Sequence, residues 1–252
     1  MLRIYLSGGM SLDQEEVLVE AREFPGQQGR EVFAYLVCNR EGPVSRSELA
    51  DALWGSHLPE AWGTSLSAIV SKLRSLLGRV GLDGAAVLST GAGCHELRLP
   101  DGSWIDHEAA ADAIHAAESA LGAADPARAY GPSAVAHHIA RRPFLPGGDA
   151  PWIDERREKL GSILIRALEC RAEVYLWNGE STLAVETARD AVTLQPFRES
   201  AYRLLMRAHA AAGNTAEALR VYERCRALVS EELGVSPSPE TRAVRADILE
   251  SL

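Results

Sequence analysis

Hydrophobic and polar positions change rhythm along the chain, and each rhythm predicts a different element. Over residues 1–25 they alternate in short runs, LRIYLSG and then EEVLVEA, broken by Gly8-Gly9 and Pro25-Gly26. Period two between turn residues predicts a small antiparallel sheet. The run REVFAYLVCN, Arg30 to Asn39, predicts a helix ended by Glu41-Gly42-Pro43. SRSELADALW predicts a second helix, capped by Ser45 or Ser47, with Glu48 placed as in a capping box and a stop at Trp54-Gly55. After HLPEAWG, Thr64 or Ser65 opens a third helix that runs to Leu77 and closes at Gly78. VLST and CHELRL then predict two short strands joined at a Gly-rich turn. Sheet, three helices and a terminal hairpin, in that order, make a winged helix.

The third helix carries the most information. At 100° per residue, Leu66, Ile69, Val70, Leu73, Leu76 and Leu77 share one apolar face. The opposite face holds Thr64, Ser67, Ala68, Ser71 and Ser75, flanked by Lys72 and Arg74. Small hydroxyl residues let a helix enter a major groove closely, and flanking cations reach phosphates or guanine edges. An amphipathic helix with a solvated face has the same pattern, and for this helix alone that plainer account comes first. The neighbouring elements reverse the order.

Beyond Pro100 the pattern becomes helical throughout. Residues 106–142 are Ala-rich with a Pro/Gly break at 126–132, 141–152 form a loop, and 153–177 form a long helix capped by Asp154 and ended at Asn178-Gly179. A period follows: Gly179 and Gly213 stand 34 residues apart, as do Ala184 and Ala218, Ala191 and Cys225, and Leu194 and Leu228. That is the spacing of tetratricopeptide (TPR) helix pairs, and Pro196 ends one helix where the period requires it. Two repeats cannot stand alone, so neighbouring helices must cap them. The fold class expected is mainly α with a small β part: a winged helix-turn-helix over 1–100 and an all-α, TPR-like domain over 101–252.

Composition and charge adjust this picture. The chain of 252 residues is 46% hydrophobic and 24% charged, as in globular proteins with a real core. No apolar run approaches the roughly 18 residues of a membrane span, and the start is strand-like, so a cytoplasmic protein is expected. A formal charge of -9 has the wrong sign for non-specific binding to phosphates. The sign varies locally, however. Asp13, Glu15, Glu16, Glu20 and Glu23 crowd one segment, whereas residues 61–82 carry Lys72, Arg74 and Arg79 and no acid.

Other chemistry is sparse. Cys38, Cys94, Cys170 and Cys225 lie too far apart for a zinc or disulfide pattern. His137-His138 with Arg141-Arg142 lacks a carboxylate or cysteine at ligand spacing, and adjacent helical histidines diverge. Asp106-His107 lacks a nucleophile, and no phosphate-binding Gly-rich loop is present. An enzyme, a metal and a cofactor are therefore not expected. Trp54, Trp62, Trp152 and Trp177 are expected to pack.

Three segments resemble the SARP family of antibiotic-regulatory activators. GREVFAYLVCNREGPVSRSELADALWG is similar to the family's second-strand-to-second-helix segment, and SLSAIVSKLRSLLG to its recognition helix. AEALRVYERCRALVSEELGVSPSPET is similar to the bacterial transcriptional activator domain through Tyr222, Glu232-Leu233-Gly234 and Pro237-Ser238. The resemblance implies a transcriptional activator of biosynthetic gene clusters that binds direct repeats in double-stranded promoter DNA. Its partners would be RNA polymerase and a second protomer at least on DNA. By position it implies Thr64, Ser67, Ser71, Lys72 and Arg74 as DNA contacts, Arg46 on a phosphate, and Arg98 in a wing near Gly91–Arg98. The wing departs from the family's Gly-Tyr-x-Leu, reading Gly93-Cys94-His95-Glu96-Leu97. With few cations in the segment, one protomer is expected to bind weakly. The rival expectation is a helical interaction adaptor whose winged helix no longer reads DNA.

Overall fold

The computed structural model describes residues 1–251. Its chain forms two compact units interleaved along the sequence, residues 1–109 with 139–160, and 110–138 with 161–252.

The first unit begins with β1 (Leu2–Tyr5), β2 (Ser11–Gln14) and β3 (Val17–Glu20), paired antiparallel as the alternation predicts. Leu2, Ile4, Leu12 and Val19 point into the core, and the intervening residues face out. A 3₁₀ turn leads into α1 (Gly26–Cys38). Then come β4 (Val44–Ser45), α2 (Arg46–Trp54), α3 (Trp62–Arg79), the single-turn α4 (Gly84–Val87), β5 (Leu88–Gly91) and β6 (Cys94–Leu97). β4, β6 and β5 form a second, three-stranded sheet in that order. The hairpin loop is Ala92-Gly93 with both φ positive, +49° and +76°, the geometry of a type I′ turn. A two-residue strand, β7 (Trp104–Ile105), was not expected; it runs parallel to β1 and stacks Trp104 5.2 Å from Tyr5.

Ser45 caps α2, its Oγ accepting from Glu48 N at 3.1 Å. The expected reciprocal half of the capping box is absent, because Glu48 accepts from the Tyr35 hydroxyl instead (2.9 Å). α3 starts at Trp62 rather than Thr64 or Ser65 and continues past Gly78 to Arg79. Gly84 brings α4 onto the α3 backbone: a Cβ there would lie 2.1 Å from the Arg74 carbonyl oxygen, so only glycine fits.

The expected loop at 141–152 is fixed to this unit. Leu145 N donates to Leu6 O (2.8 Å) and Gly8 N to Pro143 O (2.9 Å). Phe144 and Leu145 are each 1% exposed. Arg157 donates to the carbonyls of Phe144 (3.1 Å), Leu145 (3.1 Å) and Gly148 (2.8 Å) and to Asp154 (2.8 Å). Trp152 Nε1 donates to Ala52 O at 3.1 Å, one of the carbonyls that the end of α2 leaves without a helical partner.

Helices α5 (Asp106–Gly122), α6 (Pro126–Ala140), α7 (Pro151–Trp177), α8 (Ser181–Leu194), α9 (Glu199–Ala211), α10 (Thr215–Leu233) and α11 (Pro239–Glu250) make up the rest. The predicted break at 126–132 lies instead at 123–125. Pro126 occupies the first helical position, where its missing N–H costs nothing, and Pro132 is carried inside α6. α7 starts at Pro151 rather than 153.

Three helical hairpins, α5–α6, α7–α8 and α9–α10, turn in one way. Ala124, Gly179 and Gly213 have φ of +57°, +76° and +75°. The next residue in each donates back five positions: Asp125 N to Ala120 O, Glu180 N to Tyr175 O and Asn214 N to His209 O, at 2.9, 2.8 and 2.9 Å. This Schellman pattern leaves room for close helix pairs. Ala184, Ala218, Ala191 and Cys225 are wholly buried between them, whereas Leu194 is 53% exposed and outside the core.

Candidate nucleic-acid interface

α3 is amphipathic because its apolar residues recur every three to four positions; Leu66, Ile69, Val70, Leu73, Leu76 and Leu77 are all buried. Thr64, Ser67, Ala68, Ser71, Lys72 and Ser75 are exposed. Ser67 Oγ donates to Gly63 O (2.8 Å) and Ser75 Oγ to Ser71 O (3.2 Å), so these hydroxyls lie low on the helix surface. Among the described residues Lys72 has no ion-pair or hydrogen-bond partner.

Arg46, at the first position of α2, reaches across to α3. Its Nη2 donates to Gly63 O (2.8 Å) and Ser67 Oγ (3.2 Å), and the guanidinium lies 5.9 Å from the Trp62 ring centre. Its backbone N donates to Gly93 O in the hairpin turn (3.1 Å). A Cβ on Gly63 would come within 3.3 Å of Arg46 Nη2, so the glycine gives the guanidinium its seat.

Arg74 turns toward the hairpin rather than outward. Nε donates to Leu88 O (2.8 Å) and Nη2 to Thr90 Oγ1 (2.7 Å), and Thr90 Oγ1 lies 2.8 Å from His95 Nδ1. Arg98 forks onto Glu96 with two bonds of 2.8 Å, so the predicted wing cation is neutralised by its neighbour two residues away. Arg79 pairs with Glu23. Arg46 and Arg74 have no carboxylate partner among the described residues. Both are ordered by neutral acceptors and retain their charge. The structure thus brings Arg46, Thr64, Ser67, Ser71 and Lys72 to one exposed surface, with Arg74 behind it against the hairpin and Arg98 engaged elsewhere.

Sequence reasoning passed over Gly63, Thr90 and His95. The signal lay in the hairpin register: a two-residue Ala92-Gly93 loop pairs Gly91 with Cys94 and therefore Thr90 with His95.

The Asp106-His107 pair is structural. Asp106 is 2% exposed; its Oδ2 accepts from Leu6 N (3.0 Å) and Ser7 N (2.8 Å), closing the end of β1. Burial alone would push the His107 pKa down, but Asp106 and the Cys38 sulfur 3.9 Å away raise it to about 9. Among the described residues no group of His, Cys, Asp and Glu could hold a metal ion, and no helix is long and apolar enough to cross a membrane.

Fold and surface define a winged helix-turn-helix protein with a TPR-like helical domain. Residues 105–249, more than half the chain, match the family "bacterial transcriptional activator domain". The chain is 31% identical to the regulatory protein AfsR of Streptomyces coelicolor over 89% of its own length and 22% of that protein's. It is 30% identical to the transcriptional regulatory protein EmbR of Mycobacterium tuberculosis over 87% of its length and 57% of EmbR's. The structure of M. tuberculosis EmbR in complex with a low-affinity phosphopeptide superposes with a TM-score of 0.88 at 26% identity, covering 99% of this chain and 65% of that one. The chain therefore spans less than two thirds of these relatives. It belongs to the SARP-type transcriptional activators that carry the bacterial transcriptional activator domain.

Proposed function

We propose that this chain is a cytoplasmic activator that binds direct repeats in promoter DNA. Residues 1–100 read the duplex, with the exposed face of α3 in the major groove and the β5–β6 hairpin as a wing. Residues 101–252 serve contacts with RNA polymerase, and the target is a biosynthetic gene cluster. The observation that carries this is the α3 surface. Thr64, Ser67 and Ser71 are small and exposed, and among the described residues Lys72, Arg46 and Arg74 lack carboxylate partners in a chain of net charge -9. Three cations neutralise few phosphates, so occupancy rests on two protomers side by side or on polymerase.

The test is a salt titration of binding to promoter DNA by fluorescence anisotropy. Each phosphate contact contributes about -0.9 to the slope of log K against log salt. Lys72→Ala is expected to flatten that slope by about 1 and to weaken all sequences alike. A two-repeat DNA should bind far more tightly than a one-repeat DNA. Nanomolar binding to a single repeat in physiological salt would refute the two-protomer requirement. No binding at low salt would sink DNA reading and leave the adaptor role.

A further inference from the structure

One path of side chains joins the DNA-facing helix to the hairpin. Arg74 on α3 donates through Nη2 to Thr90 Oγ1 on β5 (2.7 Å), and Thr90 Oγ1 meets Nδ1 of His95 on β6 (2.8 Å). A second Arg74 donor, Nε, holds the Leu88 carbonyl of the same strand (2.8 Å). A threonine hydroxyl has a single proton. The guanidinium takes one of the two lone pairs of its oxygen; where the hydroxyl proton goes to Nδ1, the imidazole carries its own proton on Nε2. His95 is 2% exposed, and its Nε2 has no hydrogen-bond partner among the described residues. It cannot touch DNA. It sits where the three-stranded sheet meets both helices, paired with Val44 of β4 directly before the Ser45 cap of α2.

We propose that His95 is a positioning residue of the DNA-reading surface: by accepting the Thr90 proton it holds β5, and with it the Arg74 guanidinium, against α3. The inference rests on the α3 surface being the one that meets DNA. Its electrostatic setting agrees with it. Burial, then the guanidinium groups of Arg46 on α2 and Arg74 on α3, hold His95 below the ordinary histidine pKa. Protonation would turn Nδ1 from acceptor to donor, displace the Thr90 proton and set a third cation beside the two arginines. Folded protein then binds fewer protons than unfolded protein. The relay's stability is present above the ordinary histidine range and lost as pH falls below it.

The experiment compares the full-length chain with His95→Asn, which keeps an acceptor near Nδ1, and His95→Leu, which does not. His95→Leu should weaken DNA binding about tenfold with an unchanged salt slope, since a buried bond is lost and no phosphate contact is. His95→Asn should recover most of that affinity and remove the loss of thermal stability on acidification. In the free protein, ¹⁵N NMR should place the His95 proton on Nε2, and the Arg74 Nε–H should exchange slowly in wild type and fast in His95→Leu. Wild-type affinity in His95→Leu, Asn as weak as Leu, or a proton on Nδ1 would each overturn the proposal. Should the wild type bind no DNA at low salt, the α3 reading fails. The NMR results then judge the relay by themselves, even where His95→Leu does not fold, because the tautomer is read in wild type.

Discussion

Arginines do different things in the two units. In the helical unit Arg166, Arg198 and Arg207 fork onto Glu118, Glu169 and Glu173, joining α5 to α7 and α7 to α9. In the winged-helix unit Arg46 and Arg74 fork onto backbone carbonyls and hydroxyls. A carboxylate orders a guanidinium and cancels its charge; a carbonyl orders it and leaves the charge in place. The first pattern staples helices. The second holds two guanidinium groups at and behind the α3 surface with no carboxylate against them among the described residues. Other arginines of the first unit do meet carboxylates: Arg40, Arg79 and Arg98 pair with Glu108, Glu23 and Glu96, and the last of these pairs removes a cation where the fold supplies a wing.

Three substitutions probe this contrast, and the largest effect is expected at Arg157. Arg157→Met removes the guanidinium donor from the carbonyls of Phe144, Leu145 and Gly148 in a partly buried site, leaving Leu145 O only the Gly148 N–H, which should cost about 2–3 kcal/mol in urea unfolding. A cost below roughly 0.5 kcal/mol would mean that water replaces the guanidinium without loss. Glu96→Gln comes next. It frees Arg98 and should tighten DNA binding several-fold, with a salt slope steeper by about 1. An unchanged slope would place Arg98 away from phosphate. The smallest effect belongs to Arg207→Met. Its pair with Glu173 is 48% and 35% exposed, and screening limits the loss to less than about 1 kcal/mol in the same assay. A larger loss would show that the staples carry the helical unit.

The sequence made the two-part architecture legible because both parts depend on periodicity. The apolar face of α3 was readable residue by residue, and glycine marked two of the three helical hairpin turns. The first turn was expected at 126–132 and lies at 123–125, because Ala124 occupies the left-handed position where glycine is the usual signal. β7 was missed because two residues cannot display alternation. At the candidate surface, spacing put Thr64, Ser67, Ser71 and Lys72 on one exposed face. It could not say that Arg74 folds back on the hairpin or that Arg98 is taken by Glu96. Those outcomes depend on which acceptor lies within reach, and periodicity carries no information about that.

The segment 139–160 has a consequence for how the protein is made. Its Phe144 and Leu145 are core residues of the winged-helix unit, and Trp152 completes the end of α2. Residues 110–138, which belong to the other unit, separate it from the rest. On the ribosome the first unit therefore cannot close when its own strands and helices have emerged. It waits for residue 160, by which time the first helical hairpin of the second unit is already outside. At translation speeds of about 5–20 residues per second, no stage of synthesis presents a finished first unit without the α5–α6 hairpin of the second.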